Sequence, residues 1–301
     1  MRRFRTYSQV HEASADLLEQ VGAQAERVRA RLARVACVVA VASGKGGVGK
    51  SALTANLAAA LAAEGLSVGA LDADVNGPTL ARMLGARAGS LRVTADGVEP
   101  ATGAGGVRVI SMDLLLEGDE TPVRWREPAQ GGFIWQGALE TGALREFLAD
   151  TAWGELDMLL IDLPPGTEKI GRLLELVRRP DALLLVSTPS RAAEFVVAKS
   201  LRYAREAGVG AVGVVRNMTA AVCAACGTAV PLFERSGPAW TPDELWGDVP
   251  FDPRLAESTD AGEPFVLTEP EAPASRAIAR LALRLRALPQ PQPQPQPQPH
   301  P

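Results

Sequence analysis

Eight residues, Gly44-Lys45-Gly46-Gly47-Val48-Gly49-Lys50-Ser51, place glycines, a lysine and a hydroxyl at the spacing G-x-x-x-x-G-K-[ST]. Glycines let successive backbone N–H groups turn toward one anion. Lys50 would neutralise the β- and γ-phosphates of a nucleoside triphosphate, and the Ser51 hydroxyl would hold Mg²⁺. Ala52 carries the chain into a helix expected to end at Glu64, whose N-terminal dipole adds positive potential at the same point. The letters also satisfy the dinucleotide pattern G-x-G-x-x-G through Gly44, Gly46 and Gly49, with Asp72 downstream. A dinucleotide loop has no need for Lys-Ser at its end, and a second nucleotide motif follows later in the chain. The phosphate-loop reading is therefore preferred.

Three carboxylates complete that chemistry. Ser67 to Leu71 reads as a buried strand ending in Asp72-Ala73-Asp74. Acidic groups at the carboxyl end of a parallel strand sit beside the phosphate loop, with Asp72 supporting the metal and Asp74 orienting the attacking water. The alternative is a turn with a helix-capping aspartate. Met158-Leu159-Leu160-Ile161-Asp162 is an apolar run closed by a carboxylate, as a Walker B site requires. Gly166 follows it, and its backbone N–H would reach the γ-phosphate and sense hydrolysis.

A different chemistry is suggested by Cys223-Ala224-Ala225-Cys226. Two thiolates fill half of a four-sulfur site, and Cys37 lies at the start of the strand beneath the phosphate loop, too deep to join them. The missing ligands come from a second chain or from other groups, and a symmetric dimer supplies Cys223 and Cys226 twice. Iron–sulfur and tetrahedral zinc both fit four thiolates. A dithiol redox pair is the third reading, without the thioredoxin-like unit that usually carries one.

These groups need a scaffold. A strand from Val38, the helix from Ala52, and further strands at 107–112, 157–162, 181–187 and 211–215 alternate with helices at 133–149 and 191–207. This order predicts an α/β fold with a mostly parallel sheet and helices on both faces, as a single domain. Residues 1–34 read as an N-terminal helical extension, with apolar residues from Val10 to Leu32 at helical spacing. The domain would span 35–288, with a CxxC insertion near 218–236. Residues 85–106 read as a loop or small hairpin. The basic helix from Ser275 carries Arg276, Arg280 and Arg284 in one stripe. It fits a membrane-surface anchor, or a packed helix using Ile278, Leu281, Leu285 and Leu288; packing is preferred. The Pro-Gln repeat of 289–301 predicts an extended tail without a core.

Composition narrows the classes. The 301 residues are 47% hydrophobic and 22% charged, enough for one large core. A net charge of −4 and a pI near 5.4 argue against nonspecific nucleic-acid binding. No run of about 18 apolar residues is present, and the N-terminus leads into polar sequence, so a cytoplasmic location is expected.

The loop, with Lys45 after its first glycine, resembles the deviant phosphate loop of the MinD/ParA ATPases. That resemblance implies an ATP-dependent dimer in which Lys45 reaches the partner's nucleotide. Leu163-Pro164-Pro165-Gly166-Thr167, Asp72-Ala73-Asp74-Val75-Asn76-Gly77-Pro78, Trp153-Gly154-Glu155-Leu156-Asp157 and Asp260-Ala261-Gly262-Glu263-Pro264-Phe265 narrow it to the Mrp/ApbC branch. The likeness covers about residues 36–288. It implies an ATPase whose homodimer carries a [4Fe-4S] cluster between subunits and delivers it to apo iron–sulfur proteins. It also implies that Asn217 reads adenine and that Pro250 and Asp252 close over the base and ribose. Glu168-Lys169 departs from the Gly-Asp that usually follows Gly-Thr in this branch. The functional alternative is a MinD/ParA-like positioning ATPase with a structural zinc.

Overall fold

Buried on both faces, a parallel strand needs no polar side, and the strands of this chain are accordingly short continuous apolar runs. The computed structural model describes residues 14–86, 91–116, 133–177, 180–222, 228–233 and 240–288. Strand β1 (Val38–Ser43) is buried along its whole length. It lies between β7 (Met158–Asp162) and β8 (Ala182–Ser187), both parallel to it. β2 (Val68–Asp72) pairs with the far side of β7, and β6 (Arg108–Ile110) with β2. The short β5 (Ala101–Thr102) closes that edge antiparallel. On the other side β8 pairs with β9 (Ala211–Val222), and β9 pairs in turn with β11 (Leu245–Phe251, parallel) and β10 (Ala229–Pro231, antiparallel). A separate two-stranded pair, β3 (Arg92–Val93) with β4 (Val98–Glu99), answers to the small hairpin expected in 85–106.

Side chains alternate across β1 and divide the core in two. Val39 and Val41 face the layer holding α2 (Lys50–Ala63) and α9 (Pro273–Arg286). Val38, Ala40 and Ala42 face the layer of α4 (Phe133–Asp150), α5 (Thr167–Leu176) and α6 (Arg191–Glu206), where α1 (Ser14–Leu32) lies against α4. From Leu57 onward α2 is apolar all round, because it is covered on both sides, by the sheet and by α9. The preferred packing reading of the C-terminal helix holds: Ile278, Leu281 and Leu285 are buried against α2 and β11. Three of its arginines have ordinary partners. Arg276 pairs with Glu271, Arg286 with Glu64, and Arg284 lies over the Trp246 ring. No helix among the described residues is long and apolar enough to cross a membrane.

Two strands differ from the expected bounds by more than one residue at an end. The strand expected at 107–112 stops at Ile110, and the next side chain, Ser111, donates its hydroxyl to Asp72. β9 runs to Val222 instead of stopping at 215, since β11 and β10 supply ladder partners beyond the end of β8. β11 was not expected from the sequence as a strand. A two-point ion pair fixes it to β9: Arg216 Nε and Nη2 each donate to Asp248 at 2.6 Å.

Candidate functional site

Because β1, β7 and β2 are parallel neighbours, the loops that follow them leave the same edge of the sheet side by side. The first is the glycine loop between β1 and α2. Gly49 has φ +77°, and a Cβ there would run into the Asn217 amide, so both torsion and space require glycine. Gly44 packs so closely on Val196 of α6 that a side chain would collide with it. Lys45, Gly46 and Gly47 form the exposed tip of the loop, and Val48 is buried under it.

Lys50 and Asp162 meet in the interior. Nζ lies 2.7 Å from Asp162 Oδ2, and the two side chains are 7% and 1% exposed. Ser51 Oγ donates to the same oxygen at 2.5 Å, and Thr54 Oγ1 donates to Oδ1 at 2.8 Å. The Ser51 hydroxyl and the Asp162 carboxylate thus present two hard oxygens at one point, the donor set that suits Mg²⁺. Thr54 was missed by motif reading. The available signal was its place one turn after Lys50, as a hydroxyl on the same face of the helix.

Asp72 is the register partner of Asp162 on the neighbouring strand. Its Oδ2 accepts from the N–H groups of Thr79 and Leu80 and from Ser111 Oγ, and its Oδ1 from the Asp74 N–H. Three donors converge on Oδ2 and one reaches Oδ1, so Asp72 ties the loop to the strand end and the start of α3 (Leu80–Met83). Burial, and next the charge of Asp162, push its pKa up to about 7, against the lowering effect of the Leu80 N–H. Asp74 stands in the loop itself and accepts from the Gly77 N–H.

Two expected contacts take a different form. The Gly166 N–H donates to the Ser43 carbonyl at 2.9 Å, at the very end of β1. Engaging a phosphate would require that bond to open. The Asn217 amide donates to the Val48 carbonyl at 2.9 Å and so braces the phosphate loop from β9. Met218 beside it has φ +58°, the one non-glycine residue in the left-handed region among the described residues. Register places Val249 opposite Asn217, which brings Pro250 to the same neighbourhood. Asp252 caps α7 (Pro253–Asp260) by accepting from the Arg254 N–H, and the Arg254 side chain lowers its pKa. Cys223 and Cys226 lie outside the described residues, as do Pro122–Arg126 and the Pro-Gln tail. The strands flanking the cysteines are described: Val222 of β9 pairs with Ala229 of β10. Cys37 is buried, and burial pushes its thiol up to about 12, which suits a core residue and not a ligand.

A family model described as ParA, NUBPL iron-transfer P-loop NTPase, matches residues 34–286. The chain belongs to this family. Nucleoside-triphosphate hydrolysis, expected from the loop and Asp162, follows with membership in these iron-transfer P-loop NTPases. An iron-sulfur cluster carrier protein of Saccharolobus solfataricus is 39% identical over 269 residues, 88% of each chain. One of Methanocaldococcus jannaschii is 36% identical over 85% of this chain and 87% of its own. Among solved structures, a nucleotide-binding protein of Archaeoglobus fulgidus in complex with ADP matches with TM-score 0.66 and 32% identity, covering 82% of this chain and 94% of that one. The septum site-determining protein MinD of Pyrococcus horikoshii shares the fold at TM-score 0.55 and 21% identity, over 84% and 96%. The α/β P-loop architecture expected from the sequence is therefore the one found.

Proposed function

We propose that this iron-transfer NTPase hydrolyses ATP with Mg²⁺, binds a [4Fe-4S] cluster through Cys223 and Cys226 of two copies, and passes it to apo iron–sulfur proteins in the cytoplasm. The course of β9 carries this reading. Asn217 braces the phosphate loop at Val48, and the same strand continues to Val222, next to the cysteine segment. Those two points are five residues apart on one strand, with the left-handed Met218 and an irregularity in the pairing with β11 between them. A shift at the loop therefore has a short covalent path toward the cysteine segment.

The chemistry of the nucleotide end follows from the contacts. An incoming triphosphate competes for Lys50, which releases Asp162 from the ion pair. Ser51 and Asp162 are the residues that would hold Mg²⁺, whose charge would offset that of the phosphates. Asp74, in the loop beside them, orients the attacking water. Lys45, exposed at the loop tip, reaches the nucleotide of the second copy. Gly166 exchanges the Ser43 carbonyl for the γ-phosphate, and that exchange is what distinguishes the triphosphate state from the product state.

Anaerobic reconstitution with iron and sulfide tests the cargo. The expected result is roughly two irons per chain, absorbance near about 400 nm and a dimer mass, all lost in Cys223→Ala/Cys226→Ala. Zinc retained without iron would reject the carrier reading and leave the cysteines a structural role.

A further inference from the structure

Two of the three loops at the nucleotide edge are tied together from outside the motif, by one carboxylate on α4. Glu140 Oε2 lies 2.7 Å from Lys169 Nζ and 3.1 Å from Arg172 Nη1, both on α5. Its Oε1 accepts from the Asn76 side-chain amide at 2.6 Å. The Glu140 and Lys169 side chains are only 16% and 17% exposed, so this pair is shielded in a way that a surface ion pair is not. Asn76 belongs to the loop after β2 that carries Asp74. Lys169 and Arg172 belong to the helix that begins just after Gly166. Main-chain bonding already joins the two loops at their roots, where the Ala73 N–H donates to the Asp162 carbonyl. Glu140 fixes them a second time, farther out.

We propose that Glu140 is a positioning residue for nucleotide hydrolysis, holding the Asp74 loop and the Gly166–α5 segment at a fixed separation across the Mg²⁺ and γ-phosphate site. The proposal rests on the nucleotide-hydrolysis reading of this edge and not on the identity of the cargo. Lys169, where the sequence departs from the family pattern, is on this view one arm of the clamp. Nucleotide affinity comes chiefly from Lys50, Ser51 and the loop amides, none of which touches Glu140. The clamp should therefore act on turnover more than on binding.

The test is a double-mutant cycle on the full chain, with phosphate release measured against Mg²⁺–ATP concentration. Glu140→Gln keeps an acceptor for Asn76 and removes the charge facing Lys169 and Arg172. Its kcat should fall about fivefold to tenfold while KM stays within about twofold. Lys169→Met should behave alike, and the double variant should be no slower than either single variant, since both break one tie. Melting temperatures of all four proteins separate positioning from unfolding. A Glu140→Gln kcat within about twofold of wild type, additive losses in the double variant, or a loss of kcat that tracks the melting temperature would each overturn the proposal. Wild-type phosphate release that survives Lys50→Ala would instead overturn the hydrolysis reading on which it rests.

Discussion

The phosphate-loop edge and the cysteine-bearing edge stand at opposite ends of β9's influence and are built in opposite ways. At Lys50 and Asp162 a lysine, two hydroxyls and one carboxylate satisfy one another in a buried space. Beyond the end of β8, by contrast, Val230 is 54% exposed and Leu232 44%, with Phe233 and Phe251 also in solvent. At the first edge the buried charges are paired within one copy, and Lys45 stands exposed at the loop tip. The second presents apolar surface on the strands that precede and follow the cysteines in the sequence, the kind of surface that another protein surface covers. A carrier needs both, a tight engine and an open hand.

The comparison breaks first, and most heavily, at Lys50. Lys50→Ala should lower phosphate release by at least about 100-fold, because it removes the phosphate cation and leaves Asp162 as an unpaired buried charge. Iron bound in reconstitution should stay at the wild-type level. Iron lost together with turnover would mean that the two edges are not separable. A subtler probe is the tie between them. Asn217→Ala deletes the bond to the Val48 carbonyl, worth about 1 kcal/mol, and should raise the KM for Mg²⁺–ATP roughly fivefold. It should also weaken the effect of nucleotide on cluster release, measured by transfer to an apo acceptor. An unchanged nucleotide effect would show that β9 is not the route. The smallest effect is expected away from both edges, at Glu146 of α4. Burial, and next the charge of Asp150, raise its pKa from 4.5 to about 7. The folded state therefore keeps a proton that the unfolded chain has released over this range. Its stability contribution is full below pH 4.5 and is lost as pH rises through 7. Glu146→Gln should flatten that decline by roughly 2 °C in Tm, with phosphate release unaffected at either pH.

Much of the nucleotide site was legible because it is local. Gly44 to Ser51 are contiguous, and their torsional and charge requirements are written in residue type. Asp162 was legible because an apolar run ending in a carboxylate has one obvious use beside such a loop. The continuation of β9 to Val222 was not legible. Met218-Thr219-Ala220-Ala221 has no strong strand pattern, and its pairing comes from β11 and β10, segments that lie later in the chain. Asn217 was expected at the adenine through resemblance. Its donation to Val48 depends on how β9 passes the loop, a distance of 169 residues along the sequence.

Sequence alone therefore determined the phosphate chemistry, the parallel α/β class and the presence of a CxxC cysteine pair, since each rests on residue types at short spacing. Tertiary structure alone decided which groups share a charge. It gave Asp72 a capping role through four donors, held the Gly166 N–H on Ser43, and brought Glu140, Asn76 and Lys169 together from three separate elements. Short-range spacing is fixed by covalent geometry. Partnership across the sheet is fixed only when burial forces each polar group to find an acceptor or donor wherever the fold has placed one.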